Sequence, residues 1–330
     1  MQTLFEYGMT IVLAIQGMGE WLAPPMKFFS NLGTEDFFFA VLPLIYWSVD
    51  ASLGLRVAFI LVASDMTNYM LKLLLAGPRP YWLSSQVKGL WPETTFGAPS
   101  GHAQNATSIW GILAVAIKKP WAWISAVLLI FMIGFSRLYL GAHFPHDVIV
   151  GWMMGVLLLV LFSRFSKPVQ VWFAKKTTGQ QVWYAFLISV ACILTGLSTV
   201  LLRNDFQIPD QWIANAASTG TDTPDPVDAN GIFTSAGSLF GLAAGLAWIQ
   251  QYGGYQASGP FWKRALRYLI GLIGVLIFWM GLGAVFPRGD GFIVYALRFL
   301  RYTLVGAWVT AGAPWVFMRL NLAKRPDSSI

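Results

Sequence analysis

Residues 121–166 read WAWISAVLLIFMIGFSRLYLGAHFPHDVIVGWMMGVLLLVLFSRFS. A helix that crosses a bilayer needs about 20 mainly apolar residues. The runs on either side of the centre of this stretch are both long enough. Between them stands a charged turn, Ser136-Arg137 followed by His143, His146 and Asp147. Residues 138–142 climb out of the membrane, and Pro145 suits the first turn of the helix that returns. The stretch therefore reads as a hairpin of two spanning helices that carries its polar chemistry at the tip.

The same reading extends outward. Apolar runs at roughly 35–49, 53–76, 101–117, 121–139, 147–165, 183–202, 232–251, 267–286 and 292–318 give about nine candidate spans. The expected fold is all-α, a polytopic membrane helical bundle. Of the 330 residues, 56% are hydrophobic and only 11% charged. A soluble domain carries about 25% charged residues, and the long apolar runs exclude an ordinary soluble fold. The 16 Trp and 24 Phe suit the aromatic belts of bilayer interfaces. The first run is short. The N-terminal stretch, lacking a basic n-region and a small-residue cleavage site, reads as a mature interfacial helix. Residues 1–176 are expected to hold that helix and the catalytic membrane core, and 177–330 to add further spans to one continuous membrane domain.

The net charge is +7. In a soluble chain that would suggest nucleic acid, but here the basic residues cluster in loops, which is a topology signal. Lys118, Lys119, Arg164, Lys167, Lys175, Lys176, Lys263, Arg264, Arg319, Lys324 and Arg325 fall on one side, and the positive-inside rule makes that side cytoplasmic. The opposite side carries an acidic loop, roughly 203–231, with Asp205, Asp210, Asp222, Asp225 and Asp228, where Pro209, Pro224 and Pro226 break any helix. Arg298 and Arg301 lie inside the last apolar run and are expected to snorkel or to pair with an acid. The single cysteine, Cys192, excludes an intrachain disulfide and a thiolate metal cluster.

Three segments carry chemistry, and all fall on the non-cytoplasmic side. Lys72 ends an apolar helix, with Arg79-Pro80 in the emerging loop. A cation there is functional or a snorkelling interfacial lysine. Pro99-Ser100-Gly101-His102 precedes a span. Ser100 is a strong N-cap and Gly101 lets an anion approach free backbone N–H groups, although a plain capped helix start has the same sequence. In the third segment Asp147, one turn after His143, is placed to accept a hydrogen bond from its ring, fix the tautomer and make the other nitrogen a better nucleophile. His146, the third histidine, reads as structural or interfacial. Zinc binding by the three histidines would need extra carboxylates, and no His-Glu-x-x-His helix is present.

Together, Lys72-x6-Arg79-Pro80, Pro99-Ser100-Gly101-His102 and Ser136-Arg137-x5-His143-x3-Asp147 resemble the three-part signature of the type 2 phosphatidic acid phosphatase superfamily, in order and at every position. The resemblance implies a six-helix phosphatase core and a phosphoric ester hydrolase that needs no metal or other cofactor. It implies His143 as nucleophile, forming a phosphohistidine. His102 becomes the acid that protonates the leaving oxygen and then activates water, and Asp147 orients His143. Lys72, Arg79, Arg137 and the amides near Ser100 and Gly101 bind the phosphate. The nine-span layout is similar to that of the glucose-6-phosphatases, as are Arg79-Pro80-Tyr81-Trp82, Ala142-His143-Phe144-Pro145-His146 and Leu239-Phe240-Gly241-Leu242. Asp147 departs from them and follows the lipid-phosphatase pattern. A lipid phosphate, phosphatidate or a polyprenyl diphosphate, is the expected substrate, because Lys72 and His102 lie near headgroup level and Tyr81, Trp82, Leu83, Leu90 and Trp91 are available to meet a chain. A soluble sugar phosphate is the second expectation. A phosphate-ester binding or transport protein would not need the nucleophile. Membrane lipid, but no nucleic acid, is the expected surrounding partner.

Overall fold

A computed structural model of the chain describes residues 2–324. Arg325, counted above among the basic residues, lies outside them. Every regular element among the described residues is helical: α1 (Gln2–Gln16), α2 (Ala23–Asn31), α3 (Glu35–Ser48), α4 (Ala51–Leu75), α5 (Pro80–Leu83), α6 (Gly101–Ile117), α7 (Pro120–Tyr139), α8 (Pro145–Ala174), α9 (Thr178–Leu201), α10 (Asp210–Ser218), α11 (Asn230–Gln250), α12 (Phe261–Leu276), α13 (Leu282–Val285), α14 (Phe292–Ala307) and α15 (Ala313–Arg319). Two π-helical segments, Ile277–Gly281 and Trp308–Gly312, interrupt the last two spans.

Seven helical segments are long and apolar enough to cross a membrane, or eight if a bent pair, Glu20–Asn31 with Glu35–Ser48, is one span broken by 47°. This is close to the nine expected. The third expected span, α6, has 17 residues and opens with the polar run Gly101–Ser108, which shortens its apolar stretch. The acidic loop differs more. It contains α10, because Pro209 precedes that helix as N-cap instead of interrupting it.

The described chain forms two compact units. The first comprises Met1–Phe37, Thr67–Leu161 and Ser198–Asp228. Small residues set its closest helix contacts. A Cβ on Gly151 of α8 would meet the Ser100 carbonyl oxygen at 2.6 Å, and one on Gly155 would meet the Gln104 carbonyl oxygen at 2.7 Å. The two glycines are one helical turn apart, so α8 and α6 approach backbone to backbone, as small-xxx-small pairs allow in membranes. α1 lies over the turn after α7. A Cβ on Gly8 would strike the Phe144 ring at 2.8 Å, and the Gln16 side-chain amide donates to the carbonyls of Lys88 and Tyr139 at 2.8 and 2.9 Å.

The second unit comprises Phe38–Met66, Phe162–Leu197 and Ala229–Ile330. It repeats the device between α11 and α14. Gly237, Gly241 and Gly245 form a stripe against which Phe299, Thr303 and Ala307 pack at backbone distance, and a Cβ on Gly241 would overlap the Thr303 carbonyl. The Arg267 guanidinium is wholly buried and donates to the Gln256, Ala257 and Ser258 carbonyls and to the Tyr255 hydroxyl. Arg298 reaches Thr234 Oγ1 at 3.3 Å, and Arg301 lies over the Tyr302 ring at 4.8 Å. Of the two expectations for these arginines, snorkelling or pairing with an acid, the contacts found are a hydroxyl and an aromatic face.

Candidate active site

All eight residues singled out from the sequence, Lys72, Arg79, Ser100, Gly101, His102, Arg137, His143 and Asp147, belong to the first unit. Lys72 stands in the last turn of α4 and Arg79 caps α5. Ser100 caps α6, its Oγ accepting from the Ala103 N–H. Arg137 ends α7, and His143 occupies the turn before α8. Three further contacts draw these ends together. The Ser100 N–H donates to the Asp147 carbonyl at 3.0 Å. The Asn68 amide of α4 donates to the Pro99 carbonyl at 3.2 Å. The Asn68 side-chain oxygen lies where a Cβ on Gly101 would meet it at 3.0 Å.

Arg79 and Arg137 are fully buried. Arg79 donates from Nε to the Thr95 carbonyl (2.7 Å), from Nη1 to the Ala142 carbonyl (3.0 Å) and from Nη2 to the Phe96 carbonyl (3.1 Å). Its Nη1 also stands 3.5 Å from His143 Nε2. Arg137 donates to Ser30 Oγ at 2.6 Å, and its guanidinium lies 5.6 Å from the Trp91 ring centre. Lys72 Nζ donates to Thr95 Oγ1 at 2.9 Å. His102 meets the same Trp91 ring edge-on, 6.3 Å between centroids.

One residue absent from the sequence reading sits at the centre of these cations. Glu93 Oε2 accepts from Arg79 Nη2 at 2.6 Å and lies 3.9 Å from Lys72 Nζ. Its Oε1 pairs with Arg137 Nη2 and lies 3.9 Å from His102 Nδ1. Burial by itself favours protonation of Glu93, but Arg79, Arg137 and Lys72 outweigh it and hold the carboxyl well below the usual carboxylate range. A signal for it existed: Glu93 is the only acid between Asp65 and Asp147, in a stretch that holds Lys72, Arg79, Lys88, Lys118, Lys119 and Arg137. Thr95 and Ser30, which bind the cations through hydroxyls, carried no such mark.

The His143–Asp147 pair is looser than its spacing suggested. His143 Nδ1 is 3.6 Å from Asp147 Oδ2, beyond a hydrogen bond, and Oδ2 instead accepts the Phe144 N–H at 2.9 Å. Asp147 Oδ1 lies 3.3 Å from His146 Nε2, and the His146 ring stacks on Phe144 with centroids 5.3 Å apart. Burial, then the charges of Arg79 and Arg137, push the His143 ring well below the ordinary histidine pKa, so it is neutral at neutral pH. Among the described residues no three His, Cys, Asp or Glu side chains converge as a metal ion would require.

The aromatic residues expected to meet a lipid chain are placed differently. Tyr81 and Trp82 are completely buried. The Tyr81 hydroxyl is engaged with the Glu93 backbone, donating to its carbonyl at 2.6 Å and accepting its N–H at 3.0 Å. Trp82 stacks on Trp212 of α10 at 5.3 Å, and Asn215 donates to its carbonyl at 2.9 Å. The acidic segment thus folds over the α5 loop.

Residues 53–170 match the PAP2 superfamily, and residues 233–325 match the PAP2 superfamily phosphatase transmembrane extension. The chain is 25% identical to glucose-6-phosphatase catalytic subunit 1 of Haplochromis nubilus over 100% of both chains. It is 23% identical to glucose-6-phosphatase 2 of Homo sapiens, covering 88% of this chain and 89% of that one. Among solved structures, a transmembrane PAP2 type phosphatidylglycerolphosphate phosphatase from Bacillus subtilis is 24% identical with a TM-score of 0.44, covering 51% of this chain and 89% of that one. Aquifex aeolicus LpxE is 23% identical with a TM-score of 0.42, covering 47% and 93%. Two matched regions of one superfamily, together more than half the chain and one of them spanning all three motif segments, make this protein a multi-pass membrane phosphatase of the PAP2 superfamily.

Proposed function

We propose that the chain hydrolyses the phosphomonoester of a small, water-soluble polyhydroxy alcohol, a sugar phosphate, through a phosphohistidine on His143. The observation that carries the choice of substrate is the burial of Tyr81 and Trp82 beneath α10, which withdraws two of the five side chains on which a lipid reading rested. Trp91 remains beside His102, with the Arg137 guanidinium over its ring. The full-length likeness to proteins named glucose-6-phosphatases points the same way.

In this reading the neutral His143 attacks phosphorus through Nε2, the nitrogen next to Arg79, while Nδ1 keeps its proton toward Asp147. The N–P bond forms as the bond from phosphorus to the alcohol oxygen breaks. His102, whose protonated form the negative charge of the bound phosphate favours, gives that oxygen its proton, and the free alcohol leaves. His102, now basic, takes a proton from water, and the resulting hydroxide displaces His143 to release phosphate. Arg79, Arg137, Lys72 and the Gly101 amide neutralise the equatorial oxygens, where one such donor is worth about 2.7–4 kcal/mol; the Ser100 amide, expected to join them, is held by the Asp147 carbonyl instead. The basic-loop asymmetry supports an extracytoplasmic site.

The test is kcat/KM for glucose 6-phosphate against phosphatidate and a polyprenyl diphosphate in the same mixed micelles. The sugar phosphate should be preferred, and a higher value for either lipid overturns the substrate. Rapid acid quench should trap a phosphohistidine in the native protein and none in His143→Ala.

A further inference from the structure

The Glu93 carboxylate bridges the cations that a substrate phosphate would have to bind. Two oxygens on one carbon meet Arg79 and Arg137, with Lys72 and His102 each at 3.9 Å. We propose that Glu93 is an internal anion seated in the phosphate subsite, and that substrate binds only by displacing its side chain. This rests on the reading of the cluster as a phosphate site.

Three observations separate this role from that of a scaffold for the arginines. Arg79 keeps the carbonyls of Thr95, Phe96 and Ala142 without Glu93, and Arg137 keeps Ser30 Oγ. The guanidiniums are therefore positioned by other partners. The Glu93 backbone is pinned at both N–H and C=O by Tyr81, while its side chain is 21% exposed, so the carboxylate has a way out that leaves the loop in place. Finally, Arg137 Nε and His102 Nε2 are buried and unpartnered among the described residues. The carboxylate leaves donor capacity in the cluster unused, and a phosphate with more oxygens has more acceptors to offer it. Because Glu93 stays ionised across the working pH range, protonation does not vacate the seat. Another anion must. A dianionic phosphate does so by carrying more charge than the monoanion it replaces.

An occupied seat weakens apparent affinity by the fraction of molecules in which it is vacant. Isothermal titration of the purified full chain with inorganic phosphate measures this without turnover. Glu93→Gln, which removes the charge and keeps the shape, should bind phosphate at least about tenfold more tightly than the native protein, as expected when a seat about one-tenth vacant becomes free. Glu93→Asp, whose shorter side chain loosens the bridge, should fall between them, and it decides the matter if Glu93→Gln does not yield folded protein. Equal or weaker binding in the variants makes Glu93 a scaffold and overturns the proposal. If neither native protein nor folded variant binds phosphate, the phosphate-site reading itself fails.

Discussion

Asp147 stands 3.6 Å from the ring nitrogen of His143 and spends its nearer oxygen on the Phe144 N–H. The carboxylate therefore shapes the turn that presents the histidine, and the step to a hydrogen bond with the ring is a few tenths of an ångström. Active-site bonds commonly tighten this far only when substrate is bound. Asp147→Asn should keep the turn, since an amide oxygen still accepts the Phe144 N–H, while it cannot take on the negative charge that would favour an imidazolium-like transition state. We expect kcat to fall by roughly 10²–10⁴-fold with a much smaller change in KM. An unchanged kcat would confine Asp147 to the turn.

The pH dependence has a definite sign. Only neutral His143 has a lone pair on Nε2, and burial with Arg79 and Arg137 lowers its pKa, so the nucleophile proposed above survives acidification that would protonate an ordinary histidine. The acid limb of kcat/KM, after the substrate's own ionisation is allowed for, should therefore lie below the ordinary histidine value of about 6.5. A limb at or above that value would show that another group controls the reaction.

Arg79 is where charge and architecture coincide. Its fork reaches three backbone carbonyls and Thr95 Oγ1 as well as Glu93. A lysine has one nitrogen to offer them. Arg79→Lys should lower kcat/KM by about 10²–10³-fold and also lower the thermal unfolding midpoint. A loss of activity at unchanged midpoint would mean that the carbonyl contacts carry little stability.

In the second unit, Gly241 has no room for a side chain against Thr303. Gly241→Val should destabilise the protein by about 1–3 kcal/mol through overpacking, seen as a lower unfolding midpoint in detergent. A midpoint equal to that of the native protein would show that α11 and α14 separate at no cost.

For orientation, a cysteine at the exposed Ser85 should react with an impermeant thiol reagent on intact cells, and one at the exposed Thr177 should not, after Cys192 has been replaced. The reverse pattern would place the site on the cytoplasmic side.

The motif residues were legible because each is tied to a helix end, and helix ends follow from apolar length, caps and prolines. Lys72, Ser100, Arg137 and Asp147 stand where those rules put them. Glu93 was not legible by the same rules. It belongs to a loop without periodicity, and its partners come from three separate segments that only the packed fold brings together. Tyr81 and Trp82 were misplaced for a related reason. An aromatic residue beside a membrane reads as interfacial, and nothing local announces that α10, some 130 positions later, will cover it. α10 itself was obscured because Pro209 starts a helix as readily as it stops one.

The glycine contacts between α6 and α8 bear on how the protein matures. His102 rides on one of these helices, and His143 and Asp147 lie at the start of the other. Membrane helices insert singly before they associate, so the nascent chain passes through a stage in which His102, His143 and Asp147 are all present and not yet brought together. Gly151 and Gly155 permit the closure that ends it, because a Cβ at either would meet the Ser100 or Gln104 carbonyl oxygen at under 3 Å. Phosphatase activity is then a clock for helix association during biogenesis, starting when the two helices close.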